Sequence, residues 1–237
     1  MKSELEQFKN SYKGQTVVLI GPGPSLKDVD LNTFDKSFKR CAVNGSILHP
    51  KVITNLDFYI WAGDLDIPKH PTPSYGPIMN TIPKLNKNTI KFTNCWTDGS
   101  IIHSIGVQTQ IHPDDAKQLG FYRYNQINKN VDPVNVWHKD IGDQDKGPSG
   151  YSVAFHAMQI LLYMGFEKII LVGFDCSGGH SYKEMLKNDA CDWIGMFDDL
   201  IQKWKSFKNW VENISYKDVK IYSYKPVGLK GVFEEWV

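Results

Sequence analysis

The chain has 237 residues, which is enough for one domain with a buried core. Its 27 Lys and Arg residues against 26 Asp and Glu residues leave a net charge of +1, so no overall charge excess favours nucleic acid or an anionic membrane as a partner. The aromatic content of 13% argues against disorder.

The cysteines and the apolar runs narrow the class of protein further. The four cysteines are scattered without CxxC spacing, which argues against a zinc site or a thioredoxin-type motif and predicts buried, reduced thiols. The first residues lack the apolar run of a signal peptide, and no apolar stretch is long enough to span a bilayer. We therefore expect a cytoplasmic protein without a transmembrane segment. The sequence leaves open whether it forms a homo-oligomer.

The elements along the chain alternate between helix-like and strand-like patterns. Leu5, Phe8 and Tyr12 recur at near-helical spacing before Gly14, which predicts a short amphipathic helix. Apolar runs then predict strands at 16–20, 40–43, 58–62, 89–93, 168–173 and 219–224.

Two longer helices are predicted in the second half of the chain. Residues 152–164 place apolar side chains on one face and end at Gly165. Residues 189–212 carry a stripe of apolar and aromatic side chains, including Trp204 and Phe207, at spacings of three and four. We interpret this stripe as core packing.

Alternating strands and helices predict an α/β fold, a single Rossmann-like domain over residues 1–237. In such a doubly wound fold the sheet is mostly parallel and has helices on both faces. Residues 68–146 are rich in Pro, Asn, Asp and His with weak periodicity, and we interpret them as loops and short strands that form a lid or insertion.

The most informative segment is the first strand with the turn after it, TVVLIGPGPSLKDVD at residues 16–30. A strand that ends in glycines and leads into a helix lets backbone N–H groups approach a phosphate. Ser25 and Asp28 also fit a capping box, so the segment is equally well explained as a structural turn. It matches neither GxGxxG nor GxxxxGK[ST], and both interpretations stay open.

Polar residues also follow the other predicted strands. Asn44 follows the second, Asp64 follows the third, and the stretch from Asp175 to Tyr182 follows the fifth. Because ligands of parallel sheets bind beyond the carboxyl ends of the strands, one crevice could gather these residues with the glycine turn.

The motifs GPGPSLK after the first strand and MGFEKIILVGFD at residues 164–175, with Gly150 opening the helix between them, resemble the bacterial sialyltransferases of glycosyltransferase family 42. They are similar as well to the Maf-type flagellin glycosylation proteins and to 6-hydroxymethylpterin pyrophosphokinase. The resemblance covers both ends of the sheet, and the middle of the chain does not match.

The resemblance implies a bound nucleotide. We expect its binding residues at the glycine turn, after the second and third strands and at the entrance to the helix at 152–164. They are Gly21, Gly23, Pro24, Ser25, Asn44, Asp64, Ser149 and Gly150. Asn44 could instead be a turn residue, and Ser149 could be only a helix cap.

The resemblance also implies a catalytic group. The family uses a His in a segment after the GxD strand as the base for the acceptor hydroxyl, and here His180 follows Asp175 closely with Tyr182 beside it. Asp175 would organise the turn, and Tyr182 completes the predicted catalytic set. The segment is shorter than in the sialyltransferases and closer to the arrangement of the Maf-type proteins and the pterin kinase. Because His180 follows two glycines in a turn expected to be exposed, a solvated loop histidine is the competing interpretation. His156, beside an apolar helix face, is interpreted as a packed residue.

Three functions are carried forward. The first is a nucleotide-dependent transferase resembling the sialyltransferases, a glycosyltransferase that joins a nucleotide sugar such as a CMP-sugar to a glycan acceptor in surface glycoconjugate synthesis without a metal. The second is an ATP:6-hydroxymethylpterin pyrophosphokinase-like enzyme in which Asp64 and Asp175 hold Mg²⁺. The third is a relative that binds nucleotide or sugar without catalysis.

Overall fold

The structure is a computed structural model, and it describes residues 3–62, 75–96, 113–126, 137–142, 147–148, 152–179, 181 and 197–237. Eight strands lie within these ranges: β1 Thr16–Ile20, β2 Lys39–Val43, β3 Phe58–Trp61, β4 Ile90–Trp96, β5 Phe121–Gln126, β6 Lys168–Val172, β7 Lys220–Ser223 and β8 Glu234–Glu235.

The strands form one sheet in the order β5-β4-β3-β2-β1-β6-β7-β8, and each neighbouring pair runs parallel. The order falls from five to one and then jumps to six, so it reverses between β1 and β6. In register, Leu19 of β1 lies between Cys41 of β2 and Leu171 of β6.

The helices of the described residues are α1 Pro50–Ile53, α2 Tyr75–Thr81, α3 Pro113–Gln118, α4 Val153–Tyr163 and α5 Phe197–Asn209. Short 3₁₀ segments lie at Glu6–Phe8, Pro24–Asp28, Leu31–Thr33, Asn44–Leu48 and Ile82–Lys84, and α5 continues into a π-helical segment at Trp210–Ser215.

Side chains alternate between the two faces of the sheet, and each face has its own core. Val17 and Leu19 pack with α4 and α5, whereas Val18 and Ile20 pack with α1, α2 and α3. A strand covered on both faces is apolar throughout, and this explains the continuous run of apolar residues in the sequence of β1. The predicted Rossmann-like α/β fold, with a parallel sheet and helices on both faces, is confirmed.

The helix α4 is buried on all sides from Ala154 to Tyr163, between the sheet and α5. The Ser152 hydroxyl accepts the Ala154 N–H at 3.3 Å, so Ser152 is the residue that caps this helix. His156 is 2% exposed, as predicted for a packed residue.

The predicted elements differ from the observed ones at the N-terminus and in the middle of the chain, and the short strand β8 and the helices α1, α2 and α3 were not predicted. The prediction of an N-terminal amphipathic helix is wrong. Only the 3₁₀ turn Glu6–Phe8 forms, and Asn10 then adopts a left-handed conformation with φ of 57°. The strand β5 was not predicted, and it lies with β4 in the 68–146 stretch. Many of the remaining residues of that stretch lie outside the described ranges, so the lid stays a prediction.

No helix in the described ranges has both the length and the apolar character needed to cross a bilayer.

Candidate functional site

The candidate site lies where the strand order reverses. The turn after β1, residues 21–25, and the turn after β6, residues 173–175, follow the carboxyl ends of two neighbouring strands. The Gly21 N–H donates to the Val172 carbonyl and the Gly23 N–H to the Gly173 carbonyl, each at 2.8 Å. The two turns are therefore one joined structure at the position where doubly wound folds bind ligands.

Glycine is needed in the first turn because the second turn is so close. A Cβ at Gly23 would lie 2.6 Å from the Gly173 carbonyl oxygen and 2.7 Å from the carboxyl carbon of Asp175. A Cβ at Gly21 would lie 2.6 Å from the same carbonyl and 3.0 Å from the Phe174 ring. The glycines thus allow the two backbones to touch.

The side chain of Asp175 links the two turns by hydrogen bonds. It is 4% exposed, and one carboxylate oxygen accepts the Ser25 N–H at 2.7 Å while the other accepts the Ser25 hydroxyl. The predicted capping box is wrong, because Ser25 lies inside the 3₁₀ segment Pro24–Asp28 and bonds to Asp175 instead of capping a helix with Asp28. A charged acceptor strengthens both bonds relative to neutral pairs.

The backbone donors of the first turn are all in use. Pro22 and Pro24 have no N–H, and the N–H groups of Gly21, Gly23, Ser25 and Leu26 donate to Val172, Gly173, Asp175 and Gly23. The expected cradle of backbone N–H groups for a phosphate is therefore absent from residues 21–26. A carbonyl oxygen can accept a second hydrogen bond, so the backbone of this turn suits a hydroxyl group of a ligand better than a phosphate.

Asn44 follows β2 and adopts a left-handed conformation with φ of 42°. Its Nδ2 donates to the Ala62 carbonyl at 3.3 Å, and its Oδ1 accepts the Ala62 N–H at 3.1 Å. The Tyr59 hydroxyl also donates to the Asn44 carbonyl, at 3.1 Å. Asn44 thus holds the end of β3, and its contact with a nucleotide stays a prediction.

Ser181 joins the segment after β6 to the first turn. Its N–H donates to the Pro22 carbonyl at 2.7 Å, and the residue is 5% exposed. Sequence reasoning missed Ser181, although its position between His180 and Tyr182 could have drawn attention to it.

Five predicted site residues lie outside the described ranges: His180, Tyr182, Asp64, Ser149 and Gly150. Their roles stay predictions.

The loop after β7 packs against the backbone of Asp175. The Gly228 N–H donates to the Asp175 carbonyl at 2.8 Å, and a Cβ at Gly228 would lie 2.3 Å from that oxygen. A small cavity lies between this loop and the turn after β6. Its lining includes Gly173, Asp175, Ser223 and Lys225. No sequence signal had connected this loop to the site.

Cys176 directly follows Asp175 and is half-buried, with φ of 45°. Burial, with the neighbouring Asp175 charge, raises the pKa of its thiol to about 12. The thiol is therefore protonated at neutral pH and is a poor nucleophile. Among the residues that the structure covers, no group of three or more His, Cys, Asp or Glu side chains could hold a metal ion.

No protein-family model and no curated protein sequence matches the chain. Solved structures similar to it include CstII, a sialyltransferase from Campylobacter jejuni in complex with cytidine-5'-monophosphate, with a TM-score of 0.44 and 14% identity over 89% of this chain and 80% of that chain. Another is the monofunctional alpha-2,3-sialyltransferase Cst-I from Campylobacter jejuni, with a TM-score of 0.49 and 14% identity over 88% of this chain and 75% of that chain. At these values the similarity assigns neither a family nor an activity to this chain.

Proposed function

We propose that the chain is a nucleotide-dependent transferase, a glycosyltransferase resembling the sialyltransferases that uses a nucleotide sugar such as a CMP-sugar as donor and a glycan as acceptor. The observation that supports this proposal is the meeting of the two turns after β1 and β6 at the reversal of strand order. This is the position at which open α/β sheets bind nucleotides. The motif resemblance of the same two turns supplies the choice of donor.

The proposed roles derive from the chemistry of glycosyl transfer. The acceptor hydroxyl oxygen forms a bond to the anomeric carbon while the bond from that carbon to the nucleotide phosphate oxygen breaks, and the nucleotide leaves. His180 takes the proton of the acceptor hydroxyl, with Tyr182 beside it. Asp175 keeps the two turns together through Ser25.

The donor nucleotide is proposed to lie across the carboxyl edge, with Gly21, Gly23 and Pro24 beneath it. Its ribose hydroxyls suit the first turn better than its phosphate does, because that turn has no spare backbone N–H and its carbonyl oxygens can accept a further hydrogen bond. Contacts from Asn44, Asp64, Ser149 and Gly150 complete the proposed binding set.

Calorimetry with CMP, CDP, UDP, ATP and CMP-sugars tests the nucleotide site. We expect at least one cytidine nucleotide to bind and Gly23→Ala to abolish that binding, because its Cβ would collide with the Gly173 carbonyl. Gly76→Ala is the matched control, since a Cβ there meets nothing within 4 Å. Absence of binding by the unmodified protein at millimolar nucleotide would contradict the proposal.

The base is tested by His180→Ala. We expect nucleotide binding to persist and turnover of a CMP-sugar, followed as CMP release, to fall by about 10²–10⁴-fold, the usual contribution of a general base. Full turnover by this variant would remove His180 from the mechanism.

Metal dependence separates this proposal from the pyrophosphokinase alternative. Glycosyl transfer as proposed should continue in EDTA. Loss of activity in EDTA and its recovery with Mg²⁺, using ATP and a pterin, would favour the alternative.

A further inference from the structure

The Ser181 side chain is a buried polar group beside the first turn of the candidate site; Ser223, in the cavity next to Asp175, is a second such group. Ser181 is 5% exposed, and its Oγ has no hydrogen-bond partner among the residues that the structure describes. A buried hydroxyl without a partner costs about 1–3 kcal/mol, so folded proteins rarely keep one without a reason. The unused hydroxyl therefore needs an explanation.

The position of Ser181 supplies one. Its backbone N–H is fixed on the Pro22 carbonyl at 2.7 Å, which places the residue directly against the first turn. That turn has no free backbone N–H, and the Ser25 hydroxyl already donates to Asp175. The Ser181 hydroxyl is thus an unused donor beside a turn whose own donors are occupied.

We propose that the Ser181 hydroxyl binds an oxygen of the nucleotide, either a phosphate oxygen or a ribose hydroxyl. This inference rests on the proposed nucleotide site and adds a ligand contact that the motifs do not assign. The serine χ1 angle has three staggered wells, so the hydroxyl can turn toward a ligand while the bond to Pro22 holds the backbone in place. A bound nucleotide would then supply the missing partner.

The proposal predicts opposite effects of Ser181→Ala on the free and the bound protein. Since no described residue is a hydrogen-bond partner of this hydroxyl, its removal should leave the melting temperature of the free protein unchanged or raise it. Nucleotide binding should weaken by about 3- to 10-fold, the effect of one neutral hydrogen bond. A structural serine would behave the other way, with a lower melting temperature and unchanged affinity.

Thr93→Val is the matched control. The Thr93 hydroxyl is also buried without a partner, but it lies on β4, three strands from β1 in the sheet. We expect it to change the melting temperature in the same direction as Ser181→Ala and to leave nucleotide affinity unchanged. If Ser181→Ala does not fold, Ser181→Cys, which keeps the side-chain shape with a weaker donor, should weaken binding in the same direction.

Calorimetry with CMP and with cytidine distinguishes the two sources of the oxygen. Weakened binding of CMP alone indicates a phosphate oxygen, and equal weakening of both ligands indicates a ribose hydroxyl. Unchanged affinity for both ligands, or a lowered melting temperature of the free variant, would overturn the Ser181 inference and leave the nucleotide site standing. Absence of binding by the unmodified protein would instead overturn the proposed function and this inference with it.

Discussion

Asp175 is the residue on which the geometry of the candidate site depends most directly. Its carboxylate is buried, and both of its oxygens accept hydrogen bonds from Ser25. Taking a carboxylate out of water is unfavourable unless donors replace the lost water. The bonds from Ser25 therefore offset part of that cost and fix the distance between the two turns.

Ser25→Ala should lower the free energy of unfolding by about 1.5–3 kcal/mol, because it removes one hydrogen bond to a buried charged group. Urea denaturation at neutral pH measures the change. Ser37→Ala is the matched control: Ser37 makes the same two kinds of bond to Asp35, both at 2.8 Å, but on the exposed surface. We expect no measurable change there, and equal effects of the two substitutions would contradict the role of burial.

The residues of the two turns after β1 and β6 were predictable from the sequence, but the hydrogen bonds between them were not. Gly21, Gly23, Ser25 and Asp175 were each expected at the site from the motifs that follow two strands. Ser25 and Asp175 are separated by 150 positions, whereas Asp28 is near at hand and fits a local capping pattern. Local spacing favoured the wrong partner because the true one is set by the pairing of β1 with β6.

At the scale of elements, the site is held by three loops that follow three adjacent strands, β1, β6 and β7. The third loop acts on the site through Gly228, whose N–H meets the Asp175 carbonyl. Cys176 and Lys225, in the loops after β6 and β7, both have positive φ, at 45° and 48°. A left-handed conformation at a residue other than glycine is strained and persists only where surrounding contacts hold it. The backbone conformations of these two loops are therefore fixed by the contacts around them.

Gly228→Ala should therefore destabilise the protein by about 1–3 kcal/mol, since the new Cβ would lie 2.3 Å from the Asp175 carbonyl oxygen and the backbone must move. Thermal unfolding followed by circular dichroism measures this. Gly178→Ala, in the loop after β6, is the control, because a Cβ there meets nothing within 4 Å. A melting temperature of Gly228→Ala equal to that of Gly178→Ala would show that the loop after β7 accommodates the added methyl group without loss of stability.

The elements themselves were predicted unevenly, and the reason is physical. Strands buried on both faces, such as β1 and β6, read as uninterrupted apolar runs and were found with nearly correct ends. The strand β5, FYRYNQ, lies at the edge of the sheet and contains three polar residues, Arg123, Asn125 and Gln126, so its apolar pattern is much weaker. At the N-terminus Leu5 and Phe8 are both buried, at the cap and at the end of the 3₁₀ turn Glu6–Phe8, and this burial explains their helix-like spacing.

At the scale of the whole molecule, the fold keeps a set of weak acids protonated. Burial is the largest cause of the raised pKa in each case, and the values for Tyr163 and Cys176 reach about 12. Within the described ranges, the groups with raised pKa are Tyr12, Cys41, Tyr163, Cys176 and Tyr216. A folded chain that holds these protons more tightly than the unfolded chain loses stability when they dissociate.

We therefore expect the contribution of these groups to be fully present below about pH 9 and to be lost as the pH rises toward 12, because the ordinary values are 9.0 for Cys and 10.0 for Tyr. Urea denaturation at a series of alkaline pH values measures this decline. Tyr163→Phe should move the decline to higher pH, because it removes one of the groups. An unchanged pH curve in this variant would contradict the assignment to Tyr163.

The class of the fold followed from the alternation of strands and helices, but the order of the strands did not. Which strands flank β1 is decided by contacts between residues far apart in the sequence, such as Val17 with Lys39 and with Ile169. Loops after β1 and β6 could therefore be expected at the same edge, while their direct contact at the order reversal needed the structure.

The pairing of β1 with β6 has a consequence for how the protein forms during synthesis. The Ser25 side chain finds Asp175 only after 150 further residues have been added, which at translation rates of roughly 5–20 residues per second is a delay of about 8–30 s. Throughout that time one edge of the nascent β1 has no neighbour, although the strands on its other side can already assemble. The contact between the turns after β1 and β6, where we propose that the nucleotide binds, is thus one of the last parts of the sheet to form. Until β6 has been synthesised, the unpaired edge of β1 leaves the nascent chain most prone to misassociation.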